Sequence, residues 1–148
     1  MPITAKIDYP PRMNANTDIA AQEALDRLAK VGFELLAERE KIVATVWTFE
    51  AQVGNRGFAK YFSSSAGDMA FYAPTAFKTI GASQKAEIAA QANGIFGAAG
   101  PPKDRRIRRA LVHAFGPEAR RSLDALEAQF FQCPEDVDEQ LEVYINKQ

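Results

Sequence analysis

The segment VGNRGFAKYFSSSAGD, residues 53–68, contains the residues that decide how this chain folds. Gly54 and Gly57 accept positive φ angles at little cost, and Asn55 tolerates the left-handed region better than most residues. A helix that reaches this segment is therefore predicted to end at Gly54. The chain is then predicted to reverse direction sharply before it continues.

Three aromatic residues follow this turn at helical spacing. Phe58, Tyr61 and Phe62 stand at positions i, i+3 and i+4, which places them on one face of a short helix. Aromatic rings bury a large apolar area. This face is therefore predicted to fold back onto the preceding helix, which carries Trp47 and Phe49.

The serine segment, residues 63–68, has two interpretations. Its hydroxyl groups and the Asp68 carboxylate can bond to nearby backbone groups and cap the next helix, which is the interpretation that we favour. Alternatively, small polar side chains and exposed amides can form an anion-binding loop. The candidate interaction residues of this region are Asn55, Arg56, Gly57, Ser64 and Asp68.

Apolar residues recur at helical spacing along most of the chain. Residues 34–53 form the strongest pattern, and because its later part is apolar on nearly every side, it predicts a central helix covered by others. Further helices are predicted at about 17–30, 71–80, 83–96, 104–115, 118–131 and 135–146. No alternating strand pattern of any length is present. The expected fold is all-α, a single compact bundle of roughly six to eight helices.

Length and composition are those of an ordinary globular protein. The chain has 148 residues, of which 47% are hydrophobic and 25% charged. Residues 1–16 lack a sustained period and are predicted to form an extended or flexible arm, which leaves residues 17–148 as a single helical domain. The N-terminus lacks the layout of a secretory signal, and no window approaches the about 18 apolar residues of a membrane span. We therefore expect a cytoplasmic protein with no membrane contact.

Charge is polarised along the last third of the chain. The net charge is only −1, but residues 100–122 carry seven basic and two acidic side chains, whereas residues 123–148 carry one basic and seven acidic ones. In the helix 104–115, the predicted apolar face consists of Ile107, Ala110, Leu111, Ala114 and Phe115. The remaining surface then carries Arg105, Arg106, Arg108 and Arg109. We favour pairing of these arginines with the acidic C-terminal segment of the same chain or of a second subunit, while phosphate binding and plain solvation stay open.

The last predicted helix has an acidic side. Its apolar side carries Val137, Leu141, Tyr144 and Ile145, and the opposite side carries Glu135, Asp138, Glu139 and Glu142. Carboxylates three or four residues apart are separated by about 5–6 Å at Cβ, so such a ridge could engage a basic, DNA-binding partner. A solvated face is the alternative, and most charge runs on helices are of that kind.

No catalytic constellation is visible in the sequence. His113 is the single histidine, Cys133 is the single cysteine and therefore cannot form an intramolecular disulfide, and no phosphate loop or metal-ligand spacing occurs. The sequence predicts no catalytic residues, no cofactor and no metal site, and hence a protein that is not an enzyme.

Four pieces of the chain occur together in a known bacterial family. Residues 42–146 resemble the DNA mimic protein 19 family. The resemblance rests on the segments EAQVGNRGFAKYFSSSAGD, KTIGA, GPPKDRRIRR and LDALEAQFF. Asn55, Gly57 and Ser64 fall on the family pattern, whereas Gly54 and Arg56 depart from it. The resemblance implies an all-helical fold without established enzymatic activity. Mimicry of DNA belongs to a strongly acidic member of that family, and the net charge of −1 argues against it here.

The leading functional hypothesis is a non-enzymatic protein-interaction or regulatory domain. Its expected partner is another protein of unknown identity, and a homodimer is a further option. The alternative is a helical protein that binds nucleic acid or phosphate through its arginines. An enzyme with its site near residues 55–68 would need a deep pocket there with convergent polar groups.

Overall fold

The computed structural model describes residues 15–147. This part of the chain forms seven α-helices and no β-strand, which confirms the all-α prediction. The helices are α1 (Ala15–Val31), α2 (Glu38–Ser63), α3 (Ala73–Thr79), α4 (Ser83–Gly94), α5 (Arg105–His113), α6 (Pro117–Gln132) and α7 (Val137–Lys147), with 3-10 helices at Phe33–Leu35 and Ser65–Tyr72. None of these helices has the length and hydrophobicity needed to cross a bilayer. Residues 1–14 of the predicted arm lie outside the described residues, and Asn16, predicted to belong to the arm, lies in α1.

Helix α2 is the centre of the bundle and contacts α1, α3, α5 and α6. Apolar residues on nearly every side of its first part allow neighbours to cover it from several directions. The side chains that it buries include Ile42, Val46, Phe49 and Val53. The helix begins at Glu38 rather than at residue 34, and a separate turn of 3-10 helix at Phe33–Leu35 precedes it.

The predicted end of the helix at Gly54 is wrong, and the chain changes direction at Gly57 instead. Helix α2 continues through Gly54 and is kinked at Gly57, where φ is 84° and ψ is 171°. Glycine adopts such angles without the steric cost that a Cβ would add. After the kink, the backbone N–H of Phe58 donates to the Glu127 carboxylate on α6 at 2.8 Å. Glu127 therefore caps the second part of α2 and fixes its direction.

The aromatic residues after the kink fold back onto the first part of α2, as predicted. The Phe49 ring meets Phe58 at 5.7 Å and Tyr61 at 5.2 Å between ring centroids, both edge to face. Phe58, Tyr61 and Phe62 are all buried. Edge-to-face contacts are a preferred geometry for aromatic pairs, so this cluster stabilises the kinked helix as well as the core.

Helix α7 buries the face that its sequence predicts. Val137, Leu141 and Ile145 are buried, and Tyr144 packs partly buried against the core. On its other side, Glu139 is exposed, while Asp138 and Glu142 are half-buried.

The predicted acidic ridge does not include Glu135. This residue precedes α7, and its carboxylate accepts hydrogen bonds from the backbone N–H groups of Gln84 and Lys85 at 2.9 Å each. A carboxylate at a helix N-terminus satisfies donors that lack intrahelical partners. Glu135 therefore caps α4 and is engaged within the fold.

Candidate functional site

Helix α5 packs with a different face inward from the one that its sequence pattern predicts. Arg108 is fully buried, together with Val112. Ile107 and Leu111 are 55% and 41% exposed, and both alanines of the predicted apolar face are exposed as well. Of the predicted apolar face, only Phe115 packs against the core, so the prediction is wrong for the other four residues. The prediction that Arg108 lies on the surface is wrong as well.

The buried guanidinium group of Arg108 is surrounded by oxygen acceptors. It donates to the Asp68 carboxylate at 2.7 Å and to the backbone carbonyls of Phe62 (2.6 Å), Ser64 (2.8 Å), Pro102 (2.9 Å) and Lys103 (3.1 Å). A guanidinium group has five N–H donors in a fixed planar arrangement. These acceptors compensate for the loss of water around the charge, which makes its burial tolerable.

Asp68 joins two arginines of α5. Arg105 donates to its carboxylate at 2.8 Å and Arg108 at 2.7 Å. Partial burial alone would raise the pKa of Asp68, but the two guanidinium groups outweigh it and hold that pKa below its ordinary value. The predicted pairing with the C-terminal acidic segment is therefore wrong for Arg105 and Arg108. Arg106 and Arg109 form no ion pair within residues 15–147.

The serine segment closes around the Arg108 side chain. Ser64 accepts a backbone hydrogen bond at 3.3 Å and caps the 3-10 helix Ser65–Tyr72, which confirms the capping prediction for this residue. Asp68, also predicted to cap, instead pairs with Arg105 and Arg108. A Cβ at Gly67 would lie 2.7 Å from the Tyr61 carbonyl oxygen and 2.8 Å from Nε of Arg108. The close approach therefore depends on glycine at this position.

A cavity of about 680 Å³ opens beside this cluster. It is lined by α1, α2, α5 and the two 3-10 helices. Its apolar lining includes Leu25, Leu28, Phe33, Trp47 and Met69, and its polar lining includes Gln52, Arg56, Ser64, Asp68 and Arg105. Asn55 and Gly57 do not line it, and Asn55 is exposed. The cavity thus brings together part of the predicted 53–68 site with one of the predicted arginines.

The polar lining of the cavity offers more hydrogen-bond donors than groups that are free to accept a proton. Asp68 is engaged by two guanidinium groups, and the Ser64 hydroxyl donates to the Tyr61 carbonyl at 3.2 Å. Arg56 is exposed and forms no ion pair with any residue that the structure describes. General acid–base chemistry needs a titratable group that is free to exchange a proton. The arrangement therefore suits binding of an acceptor group better than proton transfer.

His113 and Cys133 do not extend this site, since neither lines the cavity. His113 is exposed at the end of α5, and the Cys133 sulfur lies 3.6 Å from the Glu135 carboxylate. Burial raises the pKa of the Cys133 thiol, which disfavours the nucleophilic thiolate. Within residues 15–147, no group of three or more His, Cys, Asp or Glu side chains could hold a metal ion.

The order of these elements agrees with a known protein family. A family model described as DMP19-like protein matches residues 34–148. The chain belongs to this family. The DMP19-like match includes the kinked α2, the serine segment and α5, whereas α1, which contributes Leu25 and Leu28 to the cavity, precedes it. No curated protein and no solved structure matches the chain at a significant level.

Sequence reasoning missed one wall of the cavity and the cap of the kink. Leu25 and Leu28 are recognisable only as part of the apolar stripe of α1, and Trp47 only as part of the central helix. Glu127 stands 69 residues from the N–H group that it caps. Local spacing carries no signal for contacts of this range, so only the fold reveals these roles.

Proposed function

We propose that this protein binds an acidic partner protein through the exposed face of α5. The observation that carries the proposal is the exposure of Ile107 and Leu111, one helical turn apart, on a helix whose Arg106 and Arg109 form no ion pair among the described residues. Below, the α5 face means these four residues.

Two apolar side chains at positions i and i+4 form a continuous patch rather than isolated exposed residues. Single exposed apolar residues are ordinary on protein surfaces, whereas patches with a polar rim are typical of interaction sites. Arginine is also enriched at protein interfaces, where its stem packs against apolar groups and its head forms ion pairs. The α5 face has both components on one short helix.

The charge around α5 favours an acidic partner. Among the described residues, Arg109 donates to the Ser63 carbonyl, at 3.3 Å, and to no carboxylate. Arg120 donates to the carbonyls of Phe115 and His113 at the C-terminal end of α5 and adds another positive charge there. Complementary charge guides association and excludes partners of like charge.

Binding of nucleic acid is the less well supported alternative. Two of the four arginines predicted to grip phosphates, Arg105 and Arg108, are committed to Asp68. Basic and polar side chains bind phosphate groups, and an apolar patch such as Ile107 and Leu111 does not contribute to that binding. The structure thus supports a protein partner, and the experiment below separates the two.

The test measures binding of two labelled probes by fluorescence anisotropy. One probe is an amphipathic helical peptide with leucines on one side and glutamates on the other, and the second is a short DNA duplex. The double change of Ile107→Ser with Leu111→Ser is expected to weaken peptide binding by about tenfold or more. Arg106→Gln with Arg109→Gln is expected to weaken it too and to reduce its dependence on salt.

Leu35→Ser is the matched control, because Leu35 is 70% exposed but lies outside α5. This change is expected to leave peptide binding unaltered. Absence of peptide binding by the unaltered protein at low salt would overturn the proposal. Tighter binding of the duplex, lost with the arginine changes but not with the serine changes, would establish the nucleic-acid alternative instead.

A further inference from the structure

The cavity beside α5 is a second site, distinct from the α5 face. Of the residues on α5, Arg105 lines the cavity, whereas Ile107 and Leu111 do not. Its volume of about 680 Å³ lies within the range of small-molecule sites, which is about 300–1,000 Å³. Such sites combine a mainly apolar lining with a few polar groups that orient the ligand.

The partly exposed apolar residues of the lining come from three separate elements. Leu25 and Leu28 belong to α1, Phe33 to the first 3-10 helix, and Trp47 to α2. Leu25, Leu28, Phe33 and Trp47 are only partly buried although they pack against the core, so they keep surface that a ligand could cover. Burying that surface would favour an apolar ligand.

The charged part of the lining has an excess of positive charge. Arg56 and Arg105 line the cavity with Asp68. The Asp68 carboxylate is paired with Arg105 and with Arg108, which does not line the cavity. Arg56 is left without an ion pair among the residues that the structure describes. A carboxylate is the natural partner for a guanidinium group in this position.

Trp47 lines the cavity, but its indole N–H group is not exposed to it. Its indole Nε1 is buried and has no hydrogen-bond partner in the described part of the chain. Buried donors without acceptors are uncommon in folded proteins, because the lost hydrogen bond to water is not replaced. Since this atom is shielded from solvent, a molecule in the cavity meets the carbon surface of the indole ring rather than its N–H group.

We propose that the cavity binds a small carboxylic acid with an apolar body. The apolar body lies against Leu28, Phe33 and Trp47, and the carboxylate pairs with Arg56, which follows Trp47 along α2. The proposal does not depend on the α5 face and would stand if no partner protein bound there.

Trp47 is the single tryptophan of the chain, so its fluorescence reports on the cavity directly. The probe is decanoate, compared with decanol, decylamine and inorganic phosphate. Decanoate is expected to change the Trp47 emission saturably, with an affinity about tenfold or more above those of the other three probes. Isothermal calorimetry on the same samples gives the affinity independently of fluorescence.

Two variants and one matched control locate the site. Arg56→Gln is expected to weaken decanoate binding by about tenfold while leaving decanol binding unchanged. Ala29→Phe, which places a ring at the cavity lining, is expected to weaken both. Arg121→Gln removes an exposed arginine that does not line the cavity and is expected to change neither.

Three results would overturn the proposal. The first is equal affinity for decanoate and decanol, and the second is equal affinity for decanoate and phosphate. The third is an equal effect of Arg56→Gln and Arg121→Gln. The serine changes at Ile107 and Leu111 are expected to leave decanoate binding intact, which keeps this test separate from that of the α5 face.

Discussion

Helices α5 and α7 are both short and amphipathic, yet they bury opposite kinds of side chain. Helix α7 buries Leu141 completely, whereas α5 buries Arg108 completely and leaves Leu111 41% exposed. The difference lies in what each helix packs against. Helix α7 packs along α1, whereas α5 packs on α2 and on the 3-10 helix Ser65–Tyr72. At that contact, the carbonyl oxygens of Phe62 and Ser64 both accept hydrogen bonds from Arg108.

This comparison shows that the inward face of a helix depends on its neighbours as well as on its own pattern. A leucine gains about 1.5–3 kcal/mol from burial. A guanidinium group is strongly disfavoured in an apolar core but becomes acceptable where every donor finds an oxygen. On α5 the acceptors are present, so Arg108 is buried beside Val112, and Ile107 and Leu111 remain exposed.

The largest expected effect is at Arg108. Arg108→Met would leave Asp68 and the carbonyls of Phe62 and Ser64 without this donor, and we expect the free energy of unfolding to fall by about 3–5 kcal/mol. The same change at exposed Arg106 is expected to alter it by no more than about 0.5 kcal/mol. Chemical denaturation measures both. Equal effects would remove the distinction between the two sides of α5.

The next largest loss of stability is expected at Leu141, and Leu111 provides the comparison. Leu141→Ala on α7 is expected to lower the free energy of unfolding by about 2–5 kcal/mol, because it leaves a cavity in the core. Leu111→Ala on α5 is expected to cost less than about 1 kcal/mol, because that side chain is already partly in water. Thermal and chemical unfolding of the two variants can be compared directly, and losses of similar size would contradict the assigned orientation of α5.

Sequence patterns predicted the buried face of α7 but not that of α5, for a physical reason. The spacing of Val137, Leu141 and Ile145 is local, and so is that of the aromatic residues after Gly57. In contrast, the Phe62 carbonyl lies 46 residues from Arg108 in sequence, and Glu135 lies 51 residues from the first N–H that it caps. Polar contacts over such separations depend on tertiary structure, which periodicity does not encode.

A substitution at Gly57 tests whether the kink in α2 is needed to position the acceptors for Arg108. Gly57→Ala would force a side chain into a positive-φ conformation and place a Cβ 2.8 Å from the Glu127 carboxylate, at an expected cost of about 1–3 kcal/mol. Gly94→Ala is the matched control, since a Cβ there meets nothing within 4 Å and φ is not positive. That change is expected to be neutral or to stabilise by up to about 1 kcal/mol. A neutral Gly57→Ala would show that the kink is not required.

The smallest expected effect concerns pH. The pKa of Asp68 is lowered in the folded protein, so its ion pairs add stability above its ordinary value of 3.8, and this contribution is lost as pH falls further. Asp68→Asn is therefore expected to be less stable than the unaltered protein at neutral pH. The difference is expected to shrink as pH falls below about 4. A difference that stays constant with pH would contradict the ion-pair role of Asp68 at the α5 interface.

The orientation of α5 can be measured most directly by thiol labelling of neighbouring positions. In a Cys133→Ser background, Leu111→Cys and Val112→Cys place one reactive thiol on each side of the helix, since Leu111 is 41% exposed and Val112 only 3%. We expect the thiol at position 111 to react with maleimide much faster than the thiol at position 112 in the folded protein, and both to react alike after denaturation. Faster labelling at position 112 would show that α5 packs with Leu111 inward and Val112 outward, and would contradict the proposed interaction surface.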